Sequence, residues 1–207
     1  KKLEQETGLS TGLKQNGSLT VATTSDRLEE LKRQVTFAQR FDIEAKQVNR
    51  EEIKEIYPLI NVEDIVGGVF IARDGQADPV GVANVLAKAA RQNGAKIIEK
   101  CPVKKILKKD NKIVGVETSK GKIECEYVVL ATGMWSRQIA QDIDVSIPLY
   151  PDEHFYVLSE PIKEIDKSLP VLRDYNNCLY LKEDAGKLLV GVFEPNAKPA
   201  FTNNYRV

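Results

Sequence analysis

Between residues 103 and 130, three strand-length stretches are separated by two tight-turn signals, Asp110-Asn111 and Ser119-Lys120-Gly121. Aspartate, asparagine, serine and glycine take up turn conformations readily, and the shortest hairpins need the left-handed backbone that asparagine and glycine tolerate. The stretch therefore predicts a three-stranded meander over 103–108, 112–118 and 123–130. Its last strand turns into an unbroken apolar run, Val128-Val129-Leu130-Ala131, and stops at Thr132-Gly133. Continuous apolar strands belong to parallel sheets covered on both faces. A helix is predicted to begin near Trp135.

Upstream, residues 17–23 alternate like a strand. Thr24-Ser25-Asp26 can cap the helix that follows, in which Leu28, Leu31, Val35 and Ala38 recur at helical spacing. Residues 41–48 read as a strand. Asn49 then opens a second helix, with Glu52 at the reciprocal capping position and Pro58 ending it. Residues 66–72 read as another strand. Asp78-Pro79 is a strong helix start, a capping carboxylate followed by a ring preset for the first helical position. Val82, Val85, Leu86, Ala89 and Ala90 form one apolar stripe, Gly94 ends it, and 96–99 is predicted as a strand. After Pro148 come strand-like pieces at 154–159, 178–182 and 187–193, the last two joined by an Asp184-Ala185-Gly186 hairpin turn.

The fold class this predicts is mixed α/β. A layered part with the β-meander spans 73–147. A second, antiparallel layer draws on 1–72 and 148–207. The chain has 207 residues, enough for one large domain or two small ones. Thirty basic residues balance thirty acidic ones, so no net field favours nucleic acid or an anionic membrane. The lysine-rich run at 104–109 is interrupted by Ile106 and Leu107 and reads as a solvated strand face. Cys101, Cys125 and Cys178 show no metal-ligand spacing. They read as small, partly buried residues in a reducing compartment, the cytoplasm or, in a eukaryote, the mitochondrial matrix. No apolar run approaches the roughly 20 residues that cross a bilayer. The first residue is not Met and the last residues lack a closing element, so the sequence reads as an internal piece of a longer protein.

No pairwise catalytic motif stands out. A strand ending in Ala131-Thr132-Gly133 lets backbone approach a ribose or pyrophosphate, although a tight strand-to-helix turn uses the same residues. The order of segments is more specific. Residues 18–31 (SLTVATTSDRLEEL), 74–90 (DGQADPVGVANVLAKAA), Gly115-Val116-Glu117-Thr118 with Gly121 and Ile123-Glu124-Cys125, then 131–136, then 154–161 (HFYVLSEP) follow one another along most of the chain. This ordered set resembles the FAD-dependent oxidoreductases of the D-amino-acid-oxidase superfamily. It is most similar to the dimethylglycine and sarcosine dehydrogenase group and to the related regulatory subunit of pyruvate dehydrogenase phosphatase. Phe193-Glu194-Pro195-Asn196, Lys198-Pro199 and Phe201 resemble that subunit as much as the dehydrogenases.

The resemblance implies an FAD-binding, Rossmann-like layer and an antiparallel substrate-side sheet. It implies that Val103 reaches the adenine end of FAD through its backbone, that Ala131, Thr132 and Gly133 line the pyrophosphate, and that Trp135 packs beside the cofactor. It places His154 and Tyr180 over the flavin ring as catalytic residues facing a small amine. The implied reaction is oxidation of a secondary or tertiary amine of the N-methylglycine type by hydride transfer to FAD. Imidazole changes charge near neutral pH, which suits it to accept the proton of an ammonium substrate. The resemblance also implies a glycine-loop fingerprint before Lys1 and, in some members, a folate-binding domain further on. A non-catalytic regulatory subunit of the same family and a cofactor-free α/β binding module are the alternatives. Residue by residue, Val103 also reads as a core strand residue, Trp135 as a core aromatic and His154 as structural. Tyr180, between Leu179 and Leu181, fits a tyrosine looking into a cavity and an exposed one equally.

Overall fold

The computed structural model describes residues 1–200. The chain forms two compact units. The first comprises Lys1–Ala95 and His154–Asn196, and the second comprises Lys96–Glu153 with residues from Ala197 onward.

The first unit is built on a seven-stranded mixed sheet, and an interior strand of it, third from one edge, is β1 (Ser18–Ala22). On one side β1 pairs antiparallel with β3 (Gly67–Ile71), and β3 pairs with the short β2 (Lys46–Val48). On its other side β1 runs parallel to β8 (Val171–Asp174). Beyond β8 lie β9 (Leu179–Asp184), β10 (Lys187–Val192) and, at the edge, β7 (Phe155–Leu158), each antiparallel to its neighbour.

The longer helices start where the sequence predicts. Thr24 caps α2 (Ser25–Gln39), its hydroxyl accepting from the Arg27 N–H at 3.3 Å. Asn49 and Glu52 form a complete capping box on α3 (Arg50–Ile56), with both hydrogen bonds at 2.9 Å. The Asp78 carboxylate accepts from the N–H groups of Val80 and Gly81 at the start of α4 (Pro79–Gln92). A short helix not predicted from sequence, α1 (Lys2–Thr7), packs against α4. Each cap satisfies backbone donors that the first helical turn leaves open.

The two faces of the sheet bury different clusters. One face carries Leu19, Val21, Val48 and Leu172, packed with Ile53 of α3 and with Tyr57, Ile65 and Leu169. The other carries Ala22 and Val69 under Leu31 and Val35 of α2.

The second unit contains the predicted meander: β4 (Val103–Lys109), β5 (Lys112–Thr118) and β6 (Gly121–Glu124). Asp110 and Asn111 both have positive φ, 48° and 62°, as the tightest hairpin turn requires. Gly133–Trp135 makes one 3-10 turn that leads into α5 (Ser136–Gln141).

Four expectations are corrected. The strand expected at 41–48 is only Lys46–Val48, because Phe41 and Ile43 donate back to the Ala38 carbonyl and Asp42 turns left-handed at φ 54°. Residues 96–99 are not a strand; no strand lies beside them among the described residues, and Ile97 and Ile98 are exposed. The third meander strand ends at Glu124, so the apolar run 128–131 has no ladder partner among the described residues, and Val129 is 86% exposed. Apolar side chains alone do not make a strand, since its backbone groups need a partner ladder. Finally, the second layer is not purely antiparallel, because β8, unassigned from sequence, runs parallel to β1.

The turn between β9 and β10 is tied to the N-terminal segment by a buried carboxylate. Glu183 is 2% exposed and accepts from the Gly186 N–H at 2.7 Å and from the Lys14 ammonium at 3.1 Å. Burial pushes its carboxyl upward, but these two hydrogen bonds and the charges of Lys14 and Lys167 outweigh it and hold the group below its ordinary value of 4.5. A carboxyl lowered in the folded state stabilises the fold above its unfolded value, and that contribution is lost as pH falls through the folded value. Stability of the protein is therefore expected to decline below about pH 4.5. Glu183→Gln should cost about 1–3 kcal/mol at pH 7 and flatten the acid limb. Urea denaturation between pH 7 and 3 measures both; an unaltered acid limb in the variant would remove Glu183 from the account.

Candidate functional site

Residues directly opposed in a ladder share a face of the sheet. By register, Val69, Thr20, Arg173, Tyr180, Gly191 and Tyr156 stand in one row across six adjacent strands. Helix α2 packs over this face at β1, β2 and β3. Past β1 the row is open: Arg173 and Tyr156 are exposed and Tyr180 is half-buried.

Two sequence-predicted residues meet on that open face. His154 immediately precedes β7, and Tyr180 is the second residue of β9. The imidazole Nε2 lies 3.1 Å from the Tyr180 hydroxyl, a hydrogen bond whose donor is set by the ring tautomer. Phe193, one residue past β10, completes a three-ring cluster. Its ring stacks on His154 with centroids 4.5 Å apart and planes 19° from parallel, and its centroid lies 5.3 Å from that of Tyr180. Strand β10 lies between the strands that carry His154 and Tyr180, and Gly191 is the position directly opposite Tyr180. A Cβ at Gly191 would overlap the Tyr180 ring. Sequence reasoning assigned no role to Gly191 or Phe193. The signal for Gly191 was available, because counting outward from the 184–187 turn sets 191 against 180.

The five positions expected on the cofactor side all belong to the second unit. Val103 opens β4 and is 44% exposed, so it is not a core strand residue. Trp135 is equally exposed rather than a core aromatic. Ala131 and Gly133 are exposed and Thr132 is half-buried, its hydroxyl 2.9 Å from that of Ser136. Gly133 has φ 55°, and no atom lies within 4 Å of where a Cβ would stand. Exposure at Val103 and Trp135 and open space beside Gly133 leave each of these positions accessible to a ligand, as the resemblance requires of them. All three cysteines are free and half-buried. Hydrogen bonding from Thr118 holds the Cys101 thiol below its usual range. Among the described residues no group of His, Cys, Asp or Glu could hold a metal ion, and no helix is long and apolar enough to cross a membrane.

Comparison with known proteins gives this geometry its context. The fold is similar to the crystal structure of L-proline dehydrogenase from P. horikoshii, with a TM-score of 0.85 and 30% identity over 99% of this chain and 55% of that one. The sequence matches the family described as FAD dependent oxidoreductase over residues 1–205. The chain belongs to that family. Among its relatives, the mouse mitochondrial pyruvate dehydrogenase phosphatase regulatory subunit is 38% identical over 97% of this chain. Human mitochondrial sarcosine dehydrogenase is 37% identical over 95% of it. The chain spans 23% and 22% of those two proteins, under a quarter of their length.

The positive φ at Gly133 yields a test that is independent of any ligand. A residue with a Cβ in the left-handed region costs about 1–2 kcal/mol. Gly133→Ala is expected to lower stability by that amount without a steric clash, measured by thermal or urea unfolding. A loss well above it would mean that the space beside Gly133 is filled.

Proposed function

We propose that the whole protein oxidises the C–N bond of a small secondary or tertiary amine of the N-methylglycine type, with FAD as the electron acceptor. The observation that supports this most directly is the His154–Tyr180 hydrogen bond on a sheet face left open beside α2, in a chain of the FAD-dependent oxidoreductase family. Val103 would meet the adenine end of FAD through its backbone, Ala131, Thr132 and Gly133 would pass along the pyrophosphate, and Trp135 would lie beside it. Bound FAD supplies the two-electron acceptor that side chains lack. The residues of the chain supply orientation and proton handling. An amine gives up hydride readily only once its nitrogen lone pair is free. The imidazole of His154, hydrogen-bonded through Nε2 to the Tyr180 hydroxyl, would accept the proton of the incoming ammonium. The Tyr180 hydroxyl would orient the amine, and the Phe193 ring would keep water from the third side.

A second reading is favoured by one finding. The regulatory subunit of pyruvate dehydrogenase phosphatase is as similar to this chain as sarcosine dehydrogenase is. A non-catalytic member of the family would hold FAD without turning over an amine. Anaerobic addition of sarcosine or dimethylglycine to the full-length protein separates the two, since only the oxidoreductase bleaches its flavin band.

Proton acceptance by a positioned side chain is worth on the order of 10²–10⁴-fold. His154→Ala in the full-length protein is therefore expected to slow flavin bleaching at least about tenfold and to alter its pH profile while flavin stays bound. Tyr180→Phe should act mainly on amine affinity, by about 0.5–1.5 kcal/mol. Stopped-flow absorbance across pH reads both. Parental rates in His154→Ala at every pH would remove the histidine from the chemistry.

A further inference from the structure

We propose that Gly191 is a positioning residue, whose missing side chain lets the Tyr180 ring lie where its hydroxyl meets His154. The inference rests on the proposed role of that pair and extends it to a residue on a third strand. Glycine in a strand interior weakens the strand, so its presence calls for a cause. Backbone conformation is not the cause, because Gly191 is absent from the positive-φ positions and any residue could adopt its geometry. Nor is it a turn, since Gly191 lies inside β10 with ladder partners on both sides, Tyr180 of β9 and Tyr156 of β7.

What remains is space. A Cβ built on Gly191 would run into the far end of the Tyr180 ring, its hydroxyl oxygen included. The ring thus lies across bare backbone, and Gly191 is buried beneath it. That position carries the hydroxyl across β10 toward the β7 side of the sheet, 3.1 Å from His154 Nε2. The atoms in conflict belong to a side chain rather than to backbone. An added methyl would therefore turn the ring aside instead of breaking the sheet. The other faces of the cluster do not hold the ring in this way, because Phe193 and His154 are themselves exposed at the end of their strands.

Nitrogen-15 NMR of His154 in the full-length protein, assigned against His154→Asn, tests this directly. Gly191→Ala is expected to move the Nε2 signal to where Tyr180→Phe leaves it, and to slow flavin bleaching by sarcosine about tenfold. In a Tyr180→Ala background, which removes the ring, Gly191→Ala should change neither signal nor rate. An Nε2 signal unmoved by Gly191→Ala overturns the proposal. If Gly191→Ala fails to fold, recovery of the parental melting temperature by Tyr180→Ala supports the overlap, and failure to recover overturns it. Should the Nε2 signal move while amine oxidation stays parental in both Gly191→Ala and His154→Ala, the catalytic reading of the pair falls and Gly191 retains only its geometric part.

Discussion

The parallel pairing of β1 with β8 is the constraint on which the larger unit depends. Four of the five residues of β1 are buried, and the strand is hydrogen-bonded along both edges. Its register fixes the rest. Leu19 and Val21 join the larger cluster on one face, while Ala22 joins the cluster under α2 on the other. Through β8 the same register passes to β9, β10 and β7, so Tyr180 and Gly191 stand on the α2 face because Thr20 does. A slip of one residue between β1 and β8 would send that whole row to the opposite side.

What could be read from the sequence was local. The capping residues Thr24, Asn49 with Glu52, and Asp78 mark three helix starts, because a cap is a hydrogen bond between a side chain and backbone two or three residues away. The turns at Asp110-Asn111 and Ala185-Gly186 are equally local. The pairing of residue 18 with residue 171 is not, since no periodicity near either strand announces a partner so far along the chain. The same limit explains the two unpaired apolar segments at 96–99 and 128–131. Their composition suits a strand, but a strand is defined by a neighbour, and none lies beside them among the described residues.

The candidate site shows the same division. His154 and Tyr180 were legible as residue types in an order resembling a known family, and alternation set Tyr180 on the face away from Leu179 and Leu181 without deciding between a cavity and solvent. The resemblance put both on one sheet, but the strand between them was not legible, since β7 pairs with β10 rather than directly with β9. Phe193 was legible as the end of a predicted strand, but its stacking on His154 depends on the same pairing of β7 with β10. The cofactor-side positions differ again. Val103 and Trp135 look like core residues by type, and only their exposure distinguishes them.

The hairpin joining β9 to β10 has two residues in its turn, and both take positive φ. Every position from 179 to 192 is therefore counted from that turn. Length, and not only identity, is under constraint there. One residue added to the turn or to either arm would pair Tyr180 with a neighbour that bears a side chain, or carry it to the other face altogether. The connection from Leu158 to Val171 bears no such count, because it joins strands that are not paired with each other. Relatives with the same chemistry should thus vary in length freely between β7 and β8 and hardly at all between Tyr180 and Gly191.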